Sequence, residues 1–224
     1  MGAVLRCYPG YGRRFAPDIG LERMDAPQAA VARQFEVAKW LATELNGLPV
    51  VASLRNRVSG GCLTVTQDHH CAIALLLEKE LFASAFALVR IQFESYVRGL
   101  WLAHVATDGQ VAQFSTGTEP PPMNALLASL ENVESFQDGH LSHIKQESWS
   151  AMCSYTHTGG LQVQRWQTAE AIEQNYLPEE IVGVATFSGS IALLAGIGMA
   201  TLANDDALGQ RMLSKSRAYA NNAF

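Results

Sequence analysis

An all-α protein, a single multi-helix bundle with an irregular N-terminal arm, is what three features of the sequence predict. Apolar residues recur at helical spacing over long stretches, N-cap and helix-stop residues bracket those stretches, and no run alternates with period two long enough to make a strand. Residues 1–23 (MGAVLRCYPGYGRRFAPDIGLER) combine Gly, Pro and Arg without a period and read as the arm, with Met24 a candidate natural start. The bundle is expected over 24–205 and a short tail over 206–224, carrying Arg211, Lys215 and Arg217.

The first helix is expected over 26–45. Asp25 is a good N-cap, Pro27 suits the first turn, Gln28 stands three residues after the cap, and Asn46-Gly47 ends the run Val31, Phe35, Ala38, Leu41, Leu45. A long second helix follows Pro49 on the series Leu54, Val58, Gly61, Val65, Ala72, Leu76, with Gly60-Gly61 as a candidate close crossing. A third, about 80–106, shows a wide apolar face of Phe82, Phe86, Val89, Phe93, Val97, Leu100 and Trp101. Residues 108–124, with Gly109, Gly117 and Pro120-Pro121-Pro122, read as a surface linker holding one short helix around Val111. Further helices are expected over 123–136, over 139–157 up to Gly159-Gly160, over 162–175 and over 179–203.

Ile181–Ala203 contains no charged residue and is long enough to span a bilayer. Thr186, Ser188, Ser190 and Thr201 lower its hydrophobicity, and Gly183, Gly189, Gly196 and Gly198 let neighbouring helices approach in either solvent. A buried core helix is the expectation, a membrane span the alternative.

The chain has 224 residues, 48% hydrophobic and 17% charged, enough apolar material for a sizeable core. With 16 Lys+Arg against 21 Asp+Glu, a net charge of −5 and a pI of about 5.7, no general polyanion-binding field surrounds it, which argues against histone-like DNA coating. Mean hydropathy of +0.04 is too high for disorder and too low for a multi-span membrane protein. Cys7, Cys62, Cys71 and Cys153 form no CxxC pair and read as free thiols. No signal-peptide pattern opens the chain, and a cytoplasmic location is expected.

Chemistry is sought first on the third helix, where Arg90, Glu94 and Arg98 stand at i, i+4, i+8 inside an apolar segment. Ions there need partners, because desolvation without pairing costs several kcal/mol. One arginine neutralised by Glu94 leaves the other to hold a phosphate or carboxylate; a purely structural Arg-Glu-Arg network is the competing account. The expected counterpart is Ser154-Tyr155-Thr156-His157-Thr158-Gly159-Gly160, where His157 closes a helix before glycines able to approach a ligand. Beside Tyr155 and Thr156 and opposite an arginine, His157 is a candidate general acid or base for metal-independent phosphodiester cleavage; a C-cap histidine bonded to nearby carbonyls is the alternative.

Arg98 and His104 also form Arg-x5-His. The segment RIQFESYVRGLWLAHVATD, followed further along by YTHTGG, resembles uncharacterised bacterial all-helical proteins similar in outline to HEPN-type domains, over residues 25–205. That resemblance implies a HEPN-like, commonly dimeric bundle. It also implies metal-independent RNA cleavage in toxin or antiphage systems with Arg98 and His104 catalytic, RNA as substrate, and an antidote protein as partner. The two residues lie about 120° apart around one helix, however, without the polar residue that often follows the motif's arginine. A non-enzymatic binding or oligomerisation module with a structural Arg-Glu-Arg network is the competing class.

No cofactor and no metal is expected. His140, His143 and Glu147 share one sector of a helix, a spacing that suits a non-haem metal, but they fall off the Leu141/Ile144/Met152/Tyr155 face and read as a solvated surface. In Asp68-His69-His70, His69 falls on the apolar series and reads as a core or cleft residue. Trp149, and Trp166 with Arg165, could stack on bases, although the absence of a basic stripe favours packing roles. No GxxxxGK[ST], GxGxxG, GxSxG or HExxH occurs.

Overall fold

The computed structural model describes residues 25–221. The arm over 1–23 lies outside them. Helix α1 (Ala26–Leu45) starts on the expected capping box: the Gln28 N–H donates to Asp25 Oδ1 at 2.9 Å, and the Asp25 N–H donates back to Gln28 Oε1 at 3.4 Å. Helix α2 (Leu54–Glu78) is capped by Ser53, whose hydroxyl accepts from Asn56 N–H at 3.0 Å. Helix α3 (Phe82–His104) returns along α2 as a long helical hairpin. A short α4 (Asp108–Ser115), boxed by Thr107 and Gln110, buries Val111. Helix α5 (Met123–Leu130) and a one-turn 3-10 helix (Glu134–Phe136) lead into α6 (His140–Thr156), which packs on α3. After α7 (Gly160–Gln164) come α8 (Pro178–Ala203) and α9 (Asp206–Asn221). Among the described residues there is no strand.

Helix α8 occupies the centre, in contact with α1, α2, α3 and α9. Among the described residues it is the helix long and apolar enough to cross a membrane. Its glycines explain how four neighbours reach it. A Cβ on Gly189 would lie 2.3 Å from the Tyr219 hydroxyl, one on Gly196 2.8 Å from Met212 Sδ, and one on Gly198 2.9 Å from a Leu63 methyl, so α9 and α2 lie against backbone. Gly183 meets nothing within 4 Å and needs no such account.

Three expectations are corrected. The series Leu54, Gly61, Val65 on α2 is its outer face, with Leu54 and Val65 exposed; the buried face is Ser59, Gly60, Leu63, Thr66, His70, Ile73, Ala74 and Leu77. Polarity misled the phase. Ser59 and Thr66 return their hydroxyl protons to Arg55 O and Cys62 O one turn back, which lets polar residues occupy the core side. The core histidine is accordingly His70, with no exposed surface, and His69 is half-buried.

The helix expected over 162–175 ends at Gln164. Arg165 turns aside to Glu180, Nε to Oε2 at 2.7 Å with a second bond from Nη2 to Oε1, and the Thr168 hydroxyl accepts from Glu170 and Ala171 N–H, a local turn that competes with helix. Residues 206–221, expected as tail, form α9, which buries Leu208, Met212 and Tyr219 against the bundle.

Tyr219 belongs to a buried polar network at the meeting of α1, α2, α3, α8 and α9. Its hydroxyl donates to Gln34 Oε1 at 3.1 Å. His70 Nε2 donates to Gln34 O at 3.2 Å, which leaves Nδ1 to accept from the Ser188 hydroxyl at 3.0 Å, and Gln92 Nε2 donates to Ser188 O at 3.0 Å. Burial pushes the His70 imidazole down to about 4, against a smaller upward pull from its bond to Gln34. In the unfolded chain His70 takes its proton near pH 6.5 and in the folded protein near 4, so between those values acid favours unfolding. Its contribution is complete above pH 6.5 and falls with pH, by on the order of 2 kcal/mol at pH 5. Urea denaturation from pH 7.5 to 4.5 is expected to show this slope, and His70→Gln to flatten it; an equal slope in both proteins would place the acid sensitivity elsewhere.

Candidate functional site

The face of α3 carrying Arg90, Glu94 and Arg98 meets α6. Antiparallel packing brings Lys145, Trp149 and His157, spaced four, then eight residues along one face of α6, opposite that stripe. Glu94 sits between the arginines: Arg90 Nε donates to Oε1 at 2.8 Å and Arg98 Nη2 to Oε2 at 3.0 Å. Arg90 Nη1 lies 2.6 Å from His157 Nε2. A guanidinium can only donate, so this nitrogen of His157 is the acceptor and the ring proton is on Nδ1. The Arg90 guanidinium carbon also stands 4.6 Å from the Trp149 ring centre, and Lys145 Nζ stands 4.8 Å from the same ring. The Glu94 side chain is 14% exposed, those of Arg90 and Arg98 21% and 32%.

Local structure places His157. It is the C-cap of α6, its N–H bonded to Cys153 O at 3.0 Å. Thr158 follows in the left-handed region, φ 54°, and Gly159 N–H closes back on Ser154 O at 2.7 Å. A Cβ on Gly159 would lie 3.0 Å from Ser154 Cα, so this glycine lets the turn close on its own helix. Thr156 is used internally, its hydroxyl 2.8 Å from Met152 O and 3.1 Å from Ala87 O, pinning α6 to α3. Tyr155 faces elsewhere, edge-on to Phe86 at 5.0 Å and near the Arg165–Glu180 pair; burial, then Glu180, pushes its hydroxyl pKa up.

Arg90, Glu94, Arg98 and His157 are therefore together, while Tyr155, Thr156 and His104 have other partners. His104, at the end of α3, lies edge-on to Phe136 at 5.5 Å, and desolvation there lowers its pKa. Among the described residues no hydrogen bond joins it to Arg98, which is engaged with Glu94. Trp149 and Lys145 are the members missed as a set; their i, i+4 spacing in phase with His157 was the available signal. His140, His143 and Glu147 are exposed, and among the described residues no group of three His, Cys, Asp or Glu side chains could hold a metal. Cys62 of α2 lies near Arg98; burial pushes its thiol up to about 11, against the pull of that guanidinium, which favours the protonated thiol.

Compared with known proteins, residues 63–223 match the family model described as a family of unknown function, DUF6988. No curated protein matches, and no solved structure matches.

Proposed function

The chain belongs to the DUF6988 family, and from that premise we propose that it is a helical binding module holding a phosphate-bearing ligand, RNA first among them, at the α3–α6 cluster. One observation carries this reading: every polar group the cluster leaves over is a hydrogen-bond donor, apart from the remaining lone pairs of Glu94. Arg90 Nη2, Arg98 Nη1, Lys145 Nζ and His157 Nδ1–H are the donors left over, and the cluster sets three formal cations against one carboxylate in a chain whose overall charge is −5. Arg98 Nε is buried and Nη2 is bound to Glu94, so Nη1 is the donor this arginine keeps for a ligand. Donors of this kind suit phosphate oxygens, and a cluster on two packed helices holds them rigidly.

A HEPN-like RNA-cleaving effector is the second reading, favoured by the direct contact of His157 with Arg90. It requires His157 to release Nε2 from Arg90, because an imidazole with its lone pair engaged and Nδ1 protonated cannot take a proton.

One experiment separates the two: a 5′-labelled single-stranded RNA is incubated with wild type, Arg98→Gln and His157→Ala, then assayed by filter retention and on a denaturing gel. Binding predicts intact, retained RNA, with affinity reduced about ten-fold by Arg98→Gln, the loss of one charged contact worth roughly 1.4 kcal/mol. Shortened RNA with wild type and intact RNA with His157→Ala would replace the binding reading by the cleavage reading. Neither retention nor shortening overturns both.

A further inference from the structure

The outer face of α2 carries an apolar stripe along its length, and the stripe shares no residue with the α3–α6 cluster. Leu54, Val65 and Leu75 are exposed there, Gly61 is exposed between the first two, and Val58 and Ala72 are half-buried. Their spacing is that of a coiled-coil seam. One row, Leu54, Gly61, Asp68 and Leu75, repeats every seven residues, and a second, Val58, Val65 and Ala72, follows it by four.

Gly61 is the least expected member. It lies inside a 25-residue helix, where glycine costs about 1 kcal/mol relative to alanine. Its neighbour Gly60 faces inward, where a Cβ would lie 3.6 Å from a Leu202 methyl, but a Cβ on Gly61 would meet nothing within 4 Å. Among the described residues, no side chain uses the space that Gly61 leaves open.

What fits that space is the same helix turned end for end. Antiparallel pairing with Gly61 opposite Val65 of a second copy also sets Leu54 opposite Ala72, so large side chains meet small ones, and two-fold symmetry repeats both pairings. Arg57 and Asp68 lie on one side of the stripe, eleven residues apart, and this register sets Asp68 beside Arg57 of the second copy at each end. Parallel pairing would instead set Gly61 on Gly61 and Asp68 on Asp68, a void and a like-charge contact.

We propose that two copies of the chain pair through this face, α2 against α2 in antiparallel register, with Gly61 receiving Val65 and with Arg57–Asp68 pairs flanking the seam. The face is its own complement in size and in charge, which selects a second copy over an unrelated helix.

The test is sedimentation equilibrium on the whole chain, where wild type is expected to be a dimer at micromolar concentrations. Gly61→Gln puts a side chain where the helices close and is expected to weaken the dimer at least about a hundred-fold. Its circular dichroism spectrum should stay that of wild type, because the protomer has room for the added atoms. Arg57→Asp sets like charges together at both ends, and about ten-fold weaker association is expected; adding Asp68→Arg reverses the pair and restores the affinity. A wild type that stays monomeric, a dimer that Gly61→Gln leaves intact, or a double variant no tighter than Arg57→Asp alone overturns the proposal. A dimer through another surface gives the second of these results, and a parallel seam gives the third.

Discussion

Gly189→Ala is expected to destabilise the protein by about 3 kcal/mol and to lower Tm by roughly 10 °C. The added Cβ would stand 2.3 Å from the Tyr219 hydroxyl and 2.4 Å from Gln34 Oε1, closer than any real contact. Neither atom can move cheaply. Gln34 is fully buried and Tyr219 nearly so, and the two are bonded to each other at 3.1 Å, with Gln34 also donating from Nε2 to Ala30 O at 2.7 Å. Relief of the clash therefore breaks a buried hydrogen bond, at about 1–3 kcal/mol, on top of about 1–3 kcal/mol of overpacking, and alanine's better helix propensity returns at most about 1 kcal/mol. Gly183→Ala on the same helix is the control: its Cβ meets nothing within 4 Å, so it should stabilise by about 0.5–1 kcal/mol. Thermal unfolding of both variants checks the pair, and shifts of the same sign would mean that α8 is not crossed where the structure has it.

Glu94→Ala is expected to cost about 3 kcal/mol in urea denaturation, the low end for breaking a buried ionic group because the arginines keep some exposure. The carboxylate is the single acceptor for Arg90 Nε and Arg98 Nη2, and its loss leaves two guanidinium groups side by side on a largely apolar helix. The triple change Arg90→Met, Glu94→Leu, Arg98→Met removes the charges together and should recover most of that stability. Function separates from stability here. Under the anion-binding reading Glu94→Ala tightens RNA retention as it weakens the fold, because the cluster's one negative charge is gone, and the stable triple variant loses retention altogether. A triple variant that still retains RNA would place the binding surface elsewhere.

The helices were readable wherever local signals agreed with the tertiary environment. The Asp25–Gln28 box and Asn46-Gly47 bound α1 correctly, and the apolar run of α8 marks the helix that lies at the centre. Arg90, Glu94 and Arg98 were readable as one set for the same reason, since charges at helical spacing in an apolar segment must find partners, and these find one another. The inward face of α2 was not readable, because Ser59, Thr66 and His70 look like solvent residues until their hydrogen bonds are known. Nor was the Gln34–His70–Ser188–Gln92–Tyr219 network, whose members come from five helices and become neighbours only after folding. The helix expected over 162–175 failed at Arg165, where a bond to a residue of the next helix overrides propensity, an effect no local window contains.

The central position of α8 also governs when the molecule can become itself during synthesis. Its partners α1, α2 and α3 leave the ribosome long before residues 178–203 do, so they wait with their inward sides open until the last fifth of the chain arrives. Contacts this distant along the chain make closure slow, and the interval before it is when the nascent protein is most exposed to aggregation. When α8 emerges it is itself an apolar segment of bilayer-spanning length, so the surface that the waiting helices cover is the largest apolar stretch the nascent chain presents to water. Closure has to bring those helices against the bare backbone at Gly189, Gly196 and Gly198, so the last contacts to form are also the tightest.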